Sequence, residues 1–82
     1  MECVKFTISV IVKNRFGVLA RVAGLFSKRG YNIDRLSAIP IDGTDESEIL
    51  LTSSGDENTR NQIIKQLEKL YDVMTVEIIS MQ

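Results

Sequence analysis

The 82-residue chain predicts an α+β fold of six elements in the order strand, helix, strand, strand, helix, strand. Three observations carry that prediction. Apolar and polar residues alternate from Val4 to Lys13, two later stretches repeat their apolar residues at spacings of three and four, and clusters of glycine, aspartate and serine separate the segments.

In the first strand, Val4, Phe6, Ile8, Val10 and Val12 alternate with Lys5, Thr7, Ser9, Ile11 and Lys13, the period of a strand with one buried face. From Gly17 the apolar positions become Val18, Leu19, Val22, Ala23, Leu25 and Phe26, the spacing of an amphipathic helix. Lys28 and Arg29 complement the negative end of its dipole, and Gly30 supplies the left-handed residue that closes a helix, so the helix should end at Arg29. Tyr31 to Ile41 reads as extended, and its apolar residues fall on both faces, so alternation leaves the inward face open. Pro40 has no N–H to donate, which puts this strand at a sheet edge or leaves Pro40 beyond its paired region. The Asp-Gly pair in "IDGTDES" marks a turn into a short strand over Ser47 to Ser53, making a hairpin. Asp56 is placed to cap a second helix from Glu57 to about Leu70, whose apolar positions are Ile63, Ile64, Leu67, Leu70 and Tyr71. Val73 to Met81, rich in β-branched and apolar residues, closes the chain as a strand.

Two strand-helix-strand halves with one-sided apolar patterning give a four-stranded antiparallel sheet with both helices on one face, the ferredoxin-like βαββαβ arrangement. Crossover handedness favours the strand order 4-1-3-2, which leaves the Pro40 strand on an edge. A single domain over 1–82 is expected, and because so short a chain buries only about 60% of its unfolded surface, a homodimer is expected as well.

Composition narrows the function. With a net charge of -1 the chain has no broad attraction to nucleic acid or anionic lipid. Histidine is absent and Cys3 is the single cysteine, which removes most transition-metal sites, every His-based relay and any internal disulfide. No signal peptide or bilayer-length apolar run is present, so a soluble cytoplasmic protein is expected. Within this fold, base stacking on the central strands would need aromatics that Ser47 to Ser53 lacks, and metal carriage would need paired cysteines that "KNRFGV" lacks. Phosphate chemistry on Arg15 and Asn14 has little more than a commonplace turn behind it, and Arg15, Lys13 and Arg21 read as solvated cations, as do Lys28, Arg29, Lys65 and Lys69.

The loop from Asn14 to Gly17 is more informative. It delivers a helix N-terminus whose backbone N–H groups lack internal acceptors, and a glycine there lets a carboxylate approach closely. Asn14 could add a donor, Asn32 an acceptor for an ammonium group, and Val18, Leu19 and Ile33 apolar contact. On chemistry alone Asn14, Gly17 and Asn32 read equally well as helix punctuation.

The stretch Asn14 to Ile33, with the spacing N-x-x-G-x-L-x-R-V-x-G-L-F-S-x-R-G-Y-N-I, resembles the ACT domain that begins the regulatory, or small, subunit of acetohydroxyacid synthase (AHAS). The resemblance continues through "DRLSAIP", "GDE" and "QIIKQLEKLYDVMTVEII", which holds the family's Leu-x-Asp-Val step. It implies a non-catalytic subunit that binds and activates a catalytic partner carrying thiamine diphosphate, magnesium and FAD, in branched-chain amino-acid synthesis. It also implies feedback inhibition by valine, or by isoleucine or leucine, bound between two ACT domains. By position, Asn14, Gly17 and the amides of Val18 and Leu19 would hold the effector carboxylate, and Asn32 and Ile33 would come from the neighbouring protomer. Family members commonly carry a small hydroxyl residue where this chain has Ala20, and many continue into a second domain. A non-sensing dimerisation and activation module, or a free-standing ACT sensor for another enzyme, are the alternative readings.

Overall fold

The computed structural model describes residues 4–13 and 17–81. Its elements run β1 (Val4–Lys13), α1 (Val18–Arg29), β2 (Arg35–Pro40), β3 (Glu46–Gly55), α2 (Glu57–Glu68) and β4 (Val73–Met81). The four strands form one antiparallel sheet in the order β2-β3-β1-β4, the ferredoxin-like βαββαβ arrangement and the order expected, with the Pro40 strand at an edge.

Phe6, Ile8, Val10 and Val12 of β1 are completely or almost completely buried, as are Ile49 and Leu51 of β3. These residues face Val18, Val22 and Phe26 of α1 and Ile63 and Leu67 of α2, so both helices cover one sheet face and build one core. Burying a side chain of this size contributes about 1.5–3 kcal/mol, so the core, rather than helix propensity, holds these twelve-residue helices in place. Register settles which face of β2 turns inward. Leu36 pairs with Leu51 and Ala38 with Ile49, on the helix side, while Ile39 pairs with Glu48 and is 53% exposed on the open side.

Several element ends differ from expectation, each for a tertiary reason. The strand predicted over Tyr31 to Ile41 contracts to Arg35–Pro40. Tyr31 to Asp34 make the return from α1 instead: Tyr31 N–H donates to the Phe26 carbonyl and the Tyr31 ring stands edge-on to Phe26 at 5.7 Å. The strand predicted over Ser47 to Ser53 lengthens to Glu46–Gly55, because all ten residues of β1 find partners along it, from Val4 opposite Gly55 to Lys13 opposite Glu46. The second helix stops at Glu68 rather than Leu70, with Lys69 and Leu70 N–H groups donating to Gln66 and Leu67 in a tightened last turn. Leu70 still packs on the core, whereas Tyr71, expected on the apolar face, is carried outward by that turn and is 89% exposed.

The expected turn and cap residues hold. Gly30, at φ 74°, closes α1, and Gly43, at φ 78°, makes the hairpin turn between β2 and β3. Asp56 caps α2: its carboxylate accepts the Thr59 N–H at 2.8 Å, and that bond holds its pKa below the ordinary aspartate value. Among the described residues, no helix is long and apolar enough to cross a membrane.

Candidate functional site

Beneath the first two turns of α1, a cleft of about 670 Å³ opens toward the edge strand β2. Val18, Leu19 and Ala23 form its helix wall, and Leu36, Ala38 and Ile49 its sheet wall. Gly17 stands at its start, in the left-handed conformation at φ 84° and ψ -2°, and its carbonyl accepts the Arg21 N–H that begins the helix. A β-carbon is unfavourable at that φ, which is why glycine occupies the bend between β1 and α1. Glycine also brings no side-chain acceptor to the helix start, and no acidic residue lies in the first turn. The positive end of α1 therefore meets an apolar cavity without a carboxylate of its own, a combination suited to a small molecule with one anionic end and an aliphatic remainder.

Of the residues expected at a ligand site, the structure brings Gly17, Val18 and Leu19 together in this cleft, and Ala20 lines it as well. Asn14 lies outside the described residues. Asn32 and Ile33 sit beyond the other end of α1, a helix about 18 Å long, so one chain does not bring them to the cleft. There Asn32 is held by both of its polar ends. Its backbone carbonyl accepts a hydrogen bond from buried Ser53, and its side-chain Nδ2 donates to Asp34 at 2.6 Å. Its Oδ1, the acceptor expected for an ammonium group, has no partner among the described residues. Ile33 is half-buried against the core.

Two cations read as solvated prove to be paired. Lys13 reaches Asp45 at 3.3 Å and Glu46 at 3.6 Å across the β1–β3 pairing. Arg21, in the second turn of α1, places Nη2 on Asp72, whose side chain is only 5% exposed in the turn before β4. A buried carboxylate needs such a partner, and the Leu-x-Asp-Val step at Leu70 to Val73 is the sequence signal that pointed to the position without its role.

Comparison with known proteins identifies the family. The family model described as the AHAS small subunit-like ACT domain matches residues 8–75. The chain is 45% identical over 76 residues to a protein of Archaeoglobus fulgidus named probable acetolactate synthase small subunit, covering 93% of this chain and 48% of that one. It is 48% identical over 69 residues to the acetolactate synthase isozyme 3 small subunit of Escherichia coli, covering 84% and 42%. The crystal structure of the acetolactate synthase small subunit of Thermotoga maritima superposes with a TM-score of 0.85 at 34% identity, over 93% of this chain and 47% of that chain. The chain thus spans a little under half the length of each of these relatives. Matched in sequence over most of its length and superposed on a solved relative over 93% of it, the chain belongs to the family of AHAS small subunit-like ACT domains.

Proposed function

We propose that this chain is a regulatory ACT domain that reports a branched-chain amino acid, valine first among them, to the catalytic subunit of acetohydroxyacid synthase. The observation that carries the proposal is the apolar cleft that starts at left-handed Gly17 and runs to the edge strand β2. Valine has the matching shape: a carboxylate for the amides of Val18 and Leu19, and an isopropyl group for Val18, Leu19 and Leu36; the family resemblance adds Asn14 to the carboxylate's partners. For the ammonium group, the Ser47 hydroxyl is the one side-chain acceptor among the described residues that line the cleft. A second copy docked at the exposed β2 edge would bring its own Asn32 and Ile33 there, which makes the homodimer part of the proposal. The "small subunit" in the relatives' names supports the assignment of the catalytic partner, and thiamine diphosphate, magnesium and FAD belong to that partner in this reading.

Control follows from differential affinity. An effector shifts the complex only by as much as it prefers one state, and a coupling of about 1–3 kcal/mol changes the partner's equilibrium roughly 5- to 150-fold. A dissociation constant near about 1 mM, equivalent to about 4 kcal/mol, suffices to follow metabolite pools. Calorimetric titration with valine, isoleucine and leucine tests the sensing role, and reconstitution with the catalytic subunit tests the partner. Absence of binding by all three amino acids would refute sensing, leaving a dimerisation and activation module; failure to raise the activity of the catalytic subunit would refute the partnership.

A further inference from the structure

Asp72 stands at a junction that neither the fold nor the effector cleft by itself requires. Its backbone carbonyl accepts the Lys13 N–H at 2.9 Å, at the last residue of β1. Its carboxylate accepts from Arg21 Nη2, one turn into α1, and the side chain is 95% removed from solvent. One residue thus holds both flanks of the short segment, 14–16, that joins β1 to α1. Arg21 completes the arrangement. Its own N–H is bonded to the Gly17 carbonyl at 3.0 Å, and a β-carbon on Gly17 would stand 3.6 Å from its Nη1, so the guanidinium lies over the bend that opens the cleft. Immediately after Asp72 the chain enters β4, the edge strand opposite β2.

From this junction we infer that Asp72 and Arg21 are positioning residues of the effector cleft: they fix the first turn of α1 against the end of β1 and tie it to the start of β4. The inference rests on the effector reading above. A guanidinium held by a planar carboxylate keeps a defined place, which a lone half-exposed arginine would not. The amides of Val18 and Leu19 then meet a carboxylate already aimed, so fixing the first turn of α1 is not charged to ligand binding. Movement of that turn on binding would in turn be felt at Asp72, and so at β4.

The test compares Arg21→Gln, Arg21→Lys, Asp72→Asn and the double variant Arg21→Gln/Asp72→Asn, with Arg29→Gln at the solvated end of α1 as control. Valine titrations are made well below each protein's unfolding temperature, and amide shifts are recorded without ligand. Arg21→Gln and Asp72→Asn should each raise the valine Kd about tenfold, and the double variant should be no worse than either, as for two members of one unit. Arg21→Lys should recover most of the affinity, and Arg29→Gln should match the unmodified protein. Without ligand, the amide signals of Lys13, Gly17, Val18 and Leu19 should move in the Gln and Asn variants. An ion pair that only stabilises the fold would lower the unfolding temperature and leave the Kd of the folded protein alone; a Kd within about twofold of the original in folded Arg21→Gln would therefore overturn the inference. Arg21 is half-exposed, so that variant remains informative should Asp72→Asn fail to fold. If the unmodified protein binds none of valine, isoleucine and leucine, the effector reading fails by itself. The clamp is then judged on the ligand-free shifts, and changes confined to residues 21 and 72 overturn it.

Discussion

The two helices begin in opposite ways. At α2 the chain supplies its own anion: the Asp56 carboxylate accepts the Thr59 N–H, and Glu57 adds a second negative charge in the first turn. At α1 the cap is Gly17, with no side chain and no acid in the first turn. Their surroundings differ as well. A polar hollow lined by Asp56, Glu57, Asn58 and Asn61 lies beside the start of α2, whereas the apolar cleft toward β2 lies beneath that of α1. One helix start is completed by the chain that makes it, and the other has neither a side-chain cap nor an acid in its first turn, where the proposed effector's carboxylate would sit.

The comparison is broken most severely by giving α1 what α2 already has. Gly17→Asp places a carboxylate where the effector's would sit, and like-charge repulsion of about 3 kcal/mol or more should weaken valine at least about 150-fold. Stability should change little. The left-handed conformation at φ 84° costs a residue with a side chain about 1 kcal/mol, and the helix dipole returns about 0.3–1 kcal/mol. Calorimetry paired with a urea melt separates the two effects, and a variant that still binds valine normally places the effector elsewhere.

The reverse change, Asp56→Gly, makes the start of α2 resemble that of α1. It should lower stability near neutral pH without creating a second valine site, since the hollow there is polar. Its pH dependence has a definite sign. The Asp56 pKa is depressed in the folded state by the Thr59 N–H, so the stability it contributes is present above the unfolded pKa of about 3.9 and is lost as pH falls through the folded value. Urea midpoints of the two proteins should therefore differ at pH 7 and converge as pH drops below about 4. A smaller effect on valine than that of Gly17→Asp is expected from Ala20→Ser, at the cleft wall, where a hydroxyl within reach of the effector carboxylate would tighten valine by up to about tenfold. Unchanged or weaker binding in that variant would put the carboxylate out of reach of residue 20.

Much of this was legible in the sequence because periodicity depends on near neighbours. The alternation of β1 and the spacing of Val18, Val22 and Phe26 name the buried faces directly, and Pro40 names an edge strand. Gly17, Val18 and Leu19 were legible as a group because all three sit in one turn. Asn32 and Ile33 were legible as a motif and not as a place: the length of α1 separates them from the cleft, and only the proposed second copy would bring them to it. Arg21 and Asp72 were misread or passed over, because an arginine on a helix looks solvated until a carboxylate 51 positions away is folded against it.

The sequence by itself determined the six elements, the side of the sheet that carries the core and the glycine that opens α1, since each is set by residues a few positions apart. Only the tertiary structure decided where the strands end, which face of β2 turns inward, and that Asp72 ties β1 to α1. Those features rest on pairing between distant segments, and register and burial are properties of the pair that no local spacing encodes.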